Sequence, residues 1–386
     1  MDFGFPVELD EFRQELRQFV RTELPSDWVG AEEDEVETSQ GIRKKLANRG
    51  WLTMAWPKEY GGQDASHVQQ LVFNEEMAYN RVPATDNSIS MLGPILMLEG
   101  TEEQKQEFLP RISRAEMRWA QGYSEPGSGS DLASLQTRAV EDGDDFVING
   151  TKIWTSGAHH ADWIFMMART DPDAPKHRGI SFLLADMKAP GLSIRPIVNM
   201  AGIHGFNQLF FDNVRVPKKN LVGEYNRGWY VGARLLDFER SGVQRSAGGQ
   251  RILEELVQFA KENNWNGQAL SRRPEIRNRL ADMAIEVEVS RMISYRIGDL
   301  QSKGEVFNRE ASVGKAFGSE MQQRLYRTGM NMLGLYGTLY KGSKWSPLQS
   351  RIQRGFLSSF SATIAAGTSE IQRNVIANRG LGLPRG

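Results

Sequence analysis

The stretch Gln121-Gly-Tyr-Ser-Glu-Pro-Gly-Ser-Gly-Ser-Asp131 forms a loop rich in glycine and serine, and the regular segment 132–140 follows it at once. Such a loop leaves backbone N–H groups free and adds short hydroxyl donors, which suits a polar, phosphate-bearing ligand held close to the backbone. Taken alone, the composition favours an ordinary surface turn. Other motifs in the chain must decide between a turn and a binding loop.

The overall composition is that of a globular protein. The chain has 386 residues, enough for two or three domains, and it is 40% hydrophobic and 25% charged. Its 47 basic and 48 acidic residues give a net charge of −1. Because there is no basic excess, the sequence argues against binding to nucleic acid or to an anionic membrane surface.

The scarce residue types exclude several kinds of chemistry. The sequence has no cysteine, which excludes disulfides, cysteine-ligated metals and thiol catalysis and fits a reducing compartment. Five histidines are present, and His159-His160 lacks the spacing of a metal motif, so no metal is predicted. The first ten residues lack a signal-peptide pattern, and no apolar run approaches a membrane span. We expect a cytoplasmic protein.

Hydrophobic periodicity divides the chain into three segments and predicts an α+β fold. Residues 1–118 have helical spacing, residues 119–228 alternate with a period of two, and residues 229–386 return to helical spacing. Asp142-Gly143 and Asn149-Gly150 predict hairpin turns in the middle segment. The predicted strands are 146–148, 152–155, 163–167, 180–184 and 209–211, and the predicted C-terminal helices are 230–260 (with a break near Gly248-Gly249), 276–300, 311–333 and 369–378. Thr101 to Gln104 predicts a capping box that opens a further helix.

Four local motifs follow one another in a fixed order. They are Tyr123-Ser-Glu-Pro-Gly-Ser-Gly-Ser-Asp131, Asn149-Gly-Thr-Lys-Ile-Trp-Thr-Ser-Gly157, Leu209-Phe-Phe-Asp-Asn-Val-Arg-Val-Pro217 leading to Glu239-Arg240, and Ala366-Gly-Thr-Ser-Glu-Ile-Gln-Arg-Asn374. Each motif is weak alone, but together they closely resemble the acyl-CoA dehydrogenase family over essentially the whole chain. This resemblance implies an N-terminal helical domain, a middle β-barrel-like domain and a C-terminal four-helix bundle.

The resemblance also implies a reaction. We expect FAD as cofactor, an acyl-CoA thioester as substrate, and α,β-dehydrogenation to a trans-2-enoyl-CoA, as in fatty acid or acyl-CoA degradation. An electron-transfer flavoprotein is the expected electron acceptor. The family pattern suggests a homotetramer, and a heteromer is a further possibility because some bacterial members have one flavin site per pair of chains.

The resemblance assigns the cofactor to two parts of the chain. The residues implied to contact the flavin or its phosphates are Gln121, Tyr123, Ser124, Gly129, Ser130, Trp154, Thr155, Ser156, Thr368 and Glu370. Ser130 also matches a CoA-contacting position. Each assignment has a plainer alternative: turn-forming serines, a strand tryptophan packed in a core, or a simple helix cap.

The catalytic base is where the chain departs from most family members. Straight-chain enzymes carry a glutamate just before the Gly-Thr of the fourth motif, and this chain has Ala366 there. A subset that includes isovaleryl- and long-chain acyl-CoA dehydrogenases carries its base on the helix after the β-domain, at the position of Glu239. The resemblance therefore implies Glu239 as base, with substrate contacts at Asp237, Arg240, Ala366 and Gly367. In this view the backbone N–H of Ala366 stabilises charge on the thioester oxygen.

Two further departures affect the cofactor site. The family usually has an arginine at the position of Asn263, where it reaches the FAD pyrophosphate of a neighbouring subunit. The Gln-x-x-Gly-Gly pattern that meets adenosine is Asn331-Met-Leu-Gly-Leu335 here. Three hypotheses stay open: a dehydrogenase, an acyl-CoA oxidase or flavin monooxygenase on the same fold, and a non-catalytic subunit that completes a partner's site.

Overall fold

A computed structural model describes residues 6–26, 28–30, 35–234 and 241–384, and it confirms the predicted α+β class. The helices are α1 (Val7–Glu23), α2 (Val36–Asn48), α3 (His67–Tyr79), α4 (Gly93–Glu99), α5 (Glu102–Ser113), α6 (Gly228–Arg234), α7 (Val243–Glu262), α8 (Pro274–Ser302), α9 (Asn308–Leu333), α10 (Arg351–Ala362) and α11 (Ser369–Val375). The strands are β1 (Trp119–Gly122), β2 (Arg138–Asp142), β3 (Asp145–Ser156), β4 (Trp163–Arg169), β5 (Ile180–Asp186), β6 (Leu192–Ile197), β7 (Phe206–Pro217), β8 (Leu221–Val222), β9 (Asn264–Trp265) and β10 (Gln268–Ala269).

In the first segment, helices α1 and α5 show the features that the local sequence predicts. Helix α1 buries Phe12, Leu16 and Phe19, a spacing of four and three residues that defines one helical face. The predicted capping box at the start of α5 is confirmed: the Gln104 N–H donates to Thr101 Oγ1 at 3.3 Å, and the Thr101 N–H donates to Gln104 Oε1 at 3.1 Å. These reciprocal bonds satisfy two N–H groups that a helix leaves without partners.

The chain divides into two compact units. The helical unit comprises Met1–Ala31, Ser66–Pro83 and Arg240–Gly386, and the sheet unit comprises Glu32–Ala65 and Ala84–Glu239. Helices α1 and α3 therefore belong with the C-terminal helices. The predicted three-domain division at residues 118 and 228 stays a prediction.

The sheet unit is built on one mixed sheet. The strand order is β6-β7-β3-β2-β4-β5-β8, and β1 pairs in parallel with β4. Its interior side chains include Ile148, Met166, Leu183 and Leu209, each 0% exposed. The predicted strands at 163–167, 180–184 and 209–211 are confirmed within β4, β5 and β7.

One hairpin prediction is confirmed and one is wrong. Asp142 pairs with Asp145 across the turn at Gly143, as predicted. Asn149-Gly150 is a register shift inside the 12-residue strand β3, so the predicted strands 146–148 and 152–155 are one strand. Gly150 has φ +149°, and an added Cβ would lie 2.6 Å from Thr137 Oγ1. The Asn149-Gly150 pair forms a β-bulge and not a hairpin turn, because β7 pairs with β3 both before and after these two residues.

The helical unit contains the predicted four-helix bundle. Helices α7, α8, α9 and α10 pack around Leu256, Met321 and Leu325, each 0% exposed. The single helix predicted over 230–260 is wrong, because Ser241 and Gly242 are not helical, and Gly242, with φ +69°, directly precedes α7. The break predicted near Gly248-Gly249 is also wrong, since both residues lie inside α7. In the described part of the chain, no helix is long and apolar enough to span a membrane.

Candidate functional site

The end of strand β3 presents an exposed tryptophan in an unusual backbone conformation. Trp154 has φ +60° and is 58% exposed, and Ser156 two residues later is also exposed. Thr155 between them is 1% exposed, so its side chain does not share the outer face. A bulky residue at positive φ is a genuine outlier, and such outliers cluster at functional sites. The alternative that Trp154 is an ordinary core residue is wrong.

The loop that follows β1 approaches β3 just before this tryptophan. The Ile153 N–H donates to the carbonyl of Ser124 at 2.9 Å. The ring of Tyr123 lies edge-on to Phe165 and Phe182, and burial raises the pKa of its phenol. These contacts fix the first half of the loop against the sheet.

The second half of the loop is open to solvent. Gly129 and Ser130 are exposed, and their N–H groups have no hydrogen-bond acceptor among the described residues. An added Cβ at Gly129 would meet nothing within 4 Å. Gln121 lies at the base of the loop, in β1, paired with Phe165 of β4. The loop therefore offers free backbone donors and the Ser130 hydroxyl to an external ligand.

A buried ion pair joins this loop to β3. Lys152 is 0% exposed, and its Nζ lies 2.8 Å from Glu125 Oε1 and donates to the Tyr123 carbonyl at 3.2 Å. Glu125 also accepts the N–H groups of Gln136 and Thr137 at 2.6 and 2.9 Å. Burial lowers the pKa of Lys152 to about 8. Burial alone would raise the pKa of Glu125, but the Lys152 charge and the donated hydrogen bonds outweigh it and hold that pKa below its usual value.

A buried amide and two histidines hold the other side of the tryptophan. Asn207 is 0% exposed, and its Nδ2 donates to the Thr155 carbonyl at 3.1 Å and lies 2.9 Å from His159 Nδ1. Its Oδ1 lies 2.9 Å from His204 Nε2, and the rings of His159 and His204 stack at 3.9 Å. Burial is the main cause of a lowered pKa at His159. Among the described residues no cluster could hold a metal ion.

The fourth motif lies at the start of α11 in the helical unit. Ala366 and Gly367 have φ +53° and +84°, and the Gln372 Nε2 donates to the Ala366 carbonyl at 3.1 Å. The Thr368 hydroxyl accepts the Ile371 N–H at 3.2 Å and caps the helix. Glu370 is exposed on the first turn, where its own backbone N–H and then the Thr368 hydroxyl lower its pKa.

A polar cavity of about 540 Å³ lies beside this motif within the helical unit. Thr368, Ser369, Glu370 and three arginines contribute to its lining: Arg324, Arg327 and Arg373. Arg324 pairs with Glu286, and Arg373 pairs with Glu320, which also lines the cavity. Guanidinium groups suit phosphate recognition. These arginines were not predicted from the sequence, because an arginine on a helix is most often a solvated surface residue.

Some of the predicted site residues lie outside the described part of the chain, and others lack the charged or polar group that the family usually has at that position. Asp237, Glu239 and Arg240 lie outside the described residues. The Asn263 side chain donates to the Phe259 carbonyl at 2.9 Å at the end of α7 and carries no charge. Leu335 is 87% exposed.

The described residues fit a flavin dinucleotide in each unit taken by itself. The sheet unit offers the exposed indole of Trp154 for a planar ring system and the hydroxyls of Ser130 and Ser156 for polar atoms. The helical unit offers an arginine-lined cavity, and the buried Ser369 hydroxyl has no partner among the described residues. Orphaned buried polar atoms of this kind call for a ligand or water.

Comparison with protein-family models covers nearly the whole chain. The N-terminal, middle and C-terminal domain models of acyl-CoA dehydrogenase match residues 6–116, 120–214 and 226–381.

Relatives and solved structures agree with these matches. The acyl-CoA dehydrogenase FadE26 of Mycobacterium tuberculosis is 36% identical, with 100% of this chain and 99% of the relative covered. The mitochondrial short-chain specific acyl-CoA dehydrogenase of Mus musculus is 31% identical, with 96% and 90% covered. Two solved structures cover 100% of both chains: the Tcur3481-Tcur3483 steroid ACAD, with TM-score 0.90 and 36% identity, and the ChsE4-ChsE5 complex from Mycobacterium tuberculosis, with TM-score 0.91 and 35% identity.

Proposed function

Because the chain belongs to the acyl-CoA dehydrogenase family, whose members are FAD-dependent enzymes, we propose that it oxidises an acyl-CoA thioester to the trans-2-enoyl-CoA with Glu239 as catalytic base. The observation that carries this proposal is the exposed Trp154, held at φ +60° beside the exposed Ser156. An exposed, strained aromatic residue next to an exposed hydroxyl suits a planar cofactor and has no evident role in the fold.

The proposal for Glu239 rests on elimination at the fourth motif. Ala366 has no side chain that can accept a proton, and it is exposed at that position. Glu370 is the acid in this motif, and its pKa is lowered by its own backbone N–H and by the Thr368 hydroxyl. A carboxylate with a lowered pKa is a poor base for a weakly acidic carbon. These observations support a base outside the motif, and Glu239 occupies the position used by one branch of the family.

The proposed mechanism divides the work between cofactor and chain. The chemistry that bound FAD supplies is acceptance of the β-hydrogen as hydride. Glu239 removes the proton next to the thioester carbonyl. The backbone N–H of Ala366 donates to the thioester oxygen as negative charge develops there. The indole of Trp154 orients the reacting groups and excludes water, and Arg240, Asp237 and Ser130 contact the CoA ester.

We propose a bulky, ring-bearing acyl group as substrate. A related structure with 36% identity over the whole chain is named a steroid ACAD, and its similarity to this chain supports a CoA ester of that class. Anaerobic titration with straight-chain, branched and steroid-derived acyl-CoAs, monitored by bleaching of the flavin absorbance, tests this. Bleaching by straight-chain esters alone would contradict the ring-bearing assignment.

We also propose that the chain works in a heteromer. Asn263 and Leu335 lack the groups that reach a neighbour's cofactor, and two similar structures are two-protein assemblies. A partner of the same family that supplies an arginine at the equivalent position would complete the site. Purified alone, the chain should lose FAD, and co-expression with such a partner should restore a flavin spectrum. A yellow, fully loaded homotetramer would contradict this.

The decisive test of the base is Glu239→Gln, with Glu288→Gln, at an exposed glutamate of α8 to which no role is assigned, as the matched control. We expect Glu239→Gln to keep its flavin spectrum and lose dehydrogenation by at least about 10²-fold, since general bases contribute on that order. Glu288→Gln should retain dehydrogenation within about tenfold. Near-normal turnover by Glu239→Gln would contradict the assignment. Oxygen consumption without an electron-transfer flavoprotein would favour an oxidase, and a colourless pure chain that cannot be reconstituted with FAD would favour a non-catalytic subunit.

A further inference from the structure

We propose that two buried clamps hold the Trp154 bulge, residues 152–155 of β3, in its strained shape before any ligand binds. The first clamp is the Glu125–Lys152 ion pair, and the second is the Asn207 amide with its two histidines. Their residues are positioning residues that act through Trp154. This inference rests on the proposed contact between Trp154 and the flavin and extends it to side chains for which the family resemblance implied no role.

The bulge is visible in the strand register. Lys152 pairs with Leu209 of β7, and Thr155 pairs with Asn207. Three steps along β3 therefore match two steps along β7, which is the signature of one inserted residue. Such an insertion bends the strand and re-aims a side chain, and here it turns the indole of Trp154 outward.

The indole contributes little to holding this conformation. Its ring meets the edge of Phe206 at 6.1 Å between centroids, and 58% of the residue is exposed. Positive φ in a bulky residue persists where the surroundings over-determine it. The restraint must come from the residues on either side.

The first clamp restrains the backbone before Trp154. Lys152 and Glu125 are 0% and 9% exposed, and Glu125 is itself fixed by the N–H groups of Gln136 and Thr137. The neighbouring Ile153 N–H is held by the loop carbonyl of Ser124. Because separating a buried, hydrogen-bonded ion pair leaves an uncompensated charge at high cost, the pair restrains the strand to positions in which it stays intact.

The second clamp restrains the backbone after Trp154. The Asn207 amide has two N–H groups, and they are directed to the Thr155 carbonyl and to His159 Nδ1. Its oxygen accepts from His204 Nε2, so every strong group of the amide is engaged. Because His159 must accept at Nδ1, its neutral ring is required, and burial favours that form. A satisfied buried network of this kind specifies a single conformation.

The two clamps predict a preorganised surface. If the indole of Trp154 has the same position with and without FAD, then FAD binding does not have to order this side chain. Binding is then tighter because no side-chain conformational entropy is lost at Trp154. Loosening a clamp should weaken FAD binding although no flavin contact is removed. This loss of FAD affinity should occur only when Trp154 is present.

A double-variant cycle tests this on the full-length chain, together with its partner chain where FAD retention requires one. The clamp variants are Asn207→Ala and the paired Glu125→Gln/Lys152→Met, which leaves no unpaired buried charge. Each is made in the wild type and in Trp154→Gly, where glycine tolerates positive φ without restraint. FAD affinity is measured by fluorescence titration of the apoprotein, and the absorption and circular dichroism of bound flavin are recorded.

We expect each clamp variant to weaken FAD binding by about tenfold in the wild type and by less than about threefold in Trp154→Gly. The bound-flavin spectrum should shift in the clamp variants that retain Trp154. The surface variant Arg215→Met, which breaks an exposed pair in the same unit, should change neither quantity. Equal losses in both backgrounds, or wild-type affinity in both clamp variants, would overturn the proposal. These titrations use no acyl-CoA, so their outcome is independent of whether Glu239 is the base.

Discussion

Two stretches predicted to contact the cofactor or the substrate both use left-handed backbone, but they are held in different ways. Trp154 in the sheet unit lies between a buried ion pair and a buried amide. Ala366 in the helical unit is exposed, and its carbonyl is held by the side chain of Gln372. The two stretches therefore differ in the contacts that hold their backbone. Buried polar groups distant in sequence hold the first stretch, and hydrogen bonds between residues close in sequence hold the second.

The largest expected effect is at Lys152. Lys152→Met leaves the Glu125 carboxylate buried without its counter-charge, so we expect the free energy of unfolding to fall by about 3–5 kcal/mol. Denaturant unfolding followed by circular dichroism measures this.

The matched control is Arg215→Met. Arg215 pairs with Asp142 and Asp145 with half of its side chain exposed, and an exposed pair contributes less than about 1 kcal/mol. The combined variant Glu125→Gln/Lys152→Met should recover most of the loss, because no buried charge remains. Similar small effects for Lys152→Met and Arg215→Met would show that the buried pair does not stabilise this region.

The same lysine predicts a pH dependence. Its pKa is about 8 in the folded chain and near 10.5 in the unfolded chain, so between these pH values the unfolded chain binds the proton that the folded chain has released. The free energy of unfolding of wild type relative to Lys152→Met should therefore rise with pH in this window, by up to about 1.4 kcal/mol per pH unit. Unfolding curves for both proteins from pH 7 to 10.5 measure this, and parallel pH profiles would contradict it.

The sequence predicted the elements of this region from short-range signals. Alternating strands and the Asp142-Gly143 hairpin follow from local patterns and are present. Asn149-Gly150 carries the same local signal as a hairpin turn, but β7 is long enough to pair on both sides of it, and the strand continues through a bulge. The choice between turn and bulge depends on a partner strand that begins more than fifty residues later.

The residues that hold Trp154 could not be predicted for the same reason. Glu125 and Lys152 are separated by 27 residues, and Asn207 lies 52 residues from Thr155. A glutamate within a Gly-rich loop and a lysine in a strand each look like solvated surface residues in the sequence. The motifs identified Trp154 and Ser156 as candidates, whereas their supports depend on register and burial, which no local pattern encodes.

In the helical unit the expected effects are smaller. Thr368→Ala removes the hydroxyl that accepts the Ile371 N–H, so we expect a loss of about 1 kcal/mol in the free energy of unfolding. Thr101→Ala, which removes the equivalent cap of α5 in the sheet unit, should cost a similar amount. The control Thr338→Ala removes an exposed hydroxyl and should stay within about 0.5 kcal/mol. A loss at Thr368 as large as that at Lys152 would erase the contrast between the two stretches.

The smallest expected effect is a gain. Ala366 has φ +53°, where an L-residue with a Cβ is strained by about 1–2 kcal/mol, while glycine adds an entropic cost of about 0.5–1 kcal/mol. Ala366→Gly should therefore stabilise the chain by up to about 1 kcal/mol, and Ala365→Gly, at a residue without positive φ, should destabilise it. Thermal unfolding of both variants measures the difference. If Ala366→Gly also lowers the stability of the chain, the left-handed turn before α11 is not strained. The turn would then differ from the Trp154 bulge in backbone strain as well as in the burial of the groups that hold it.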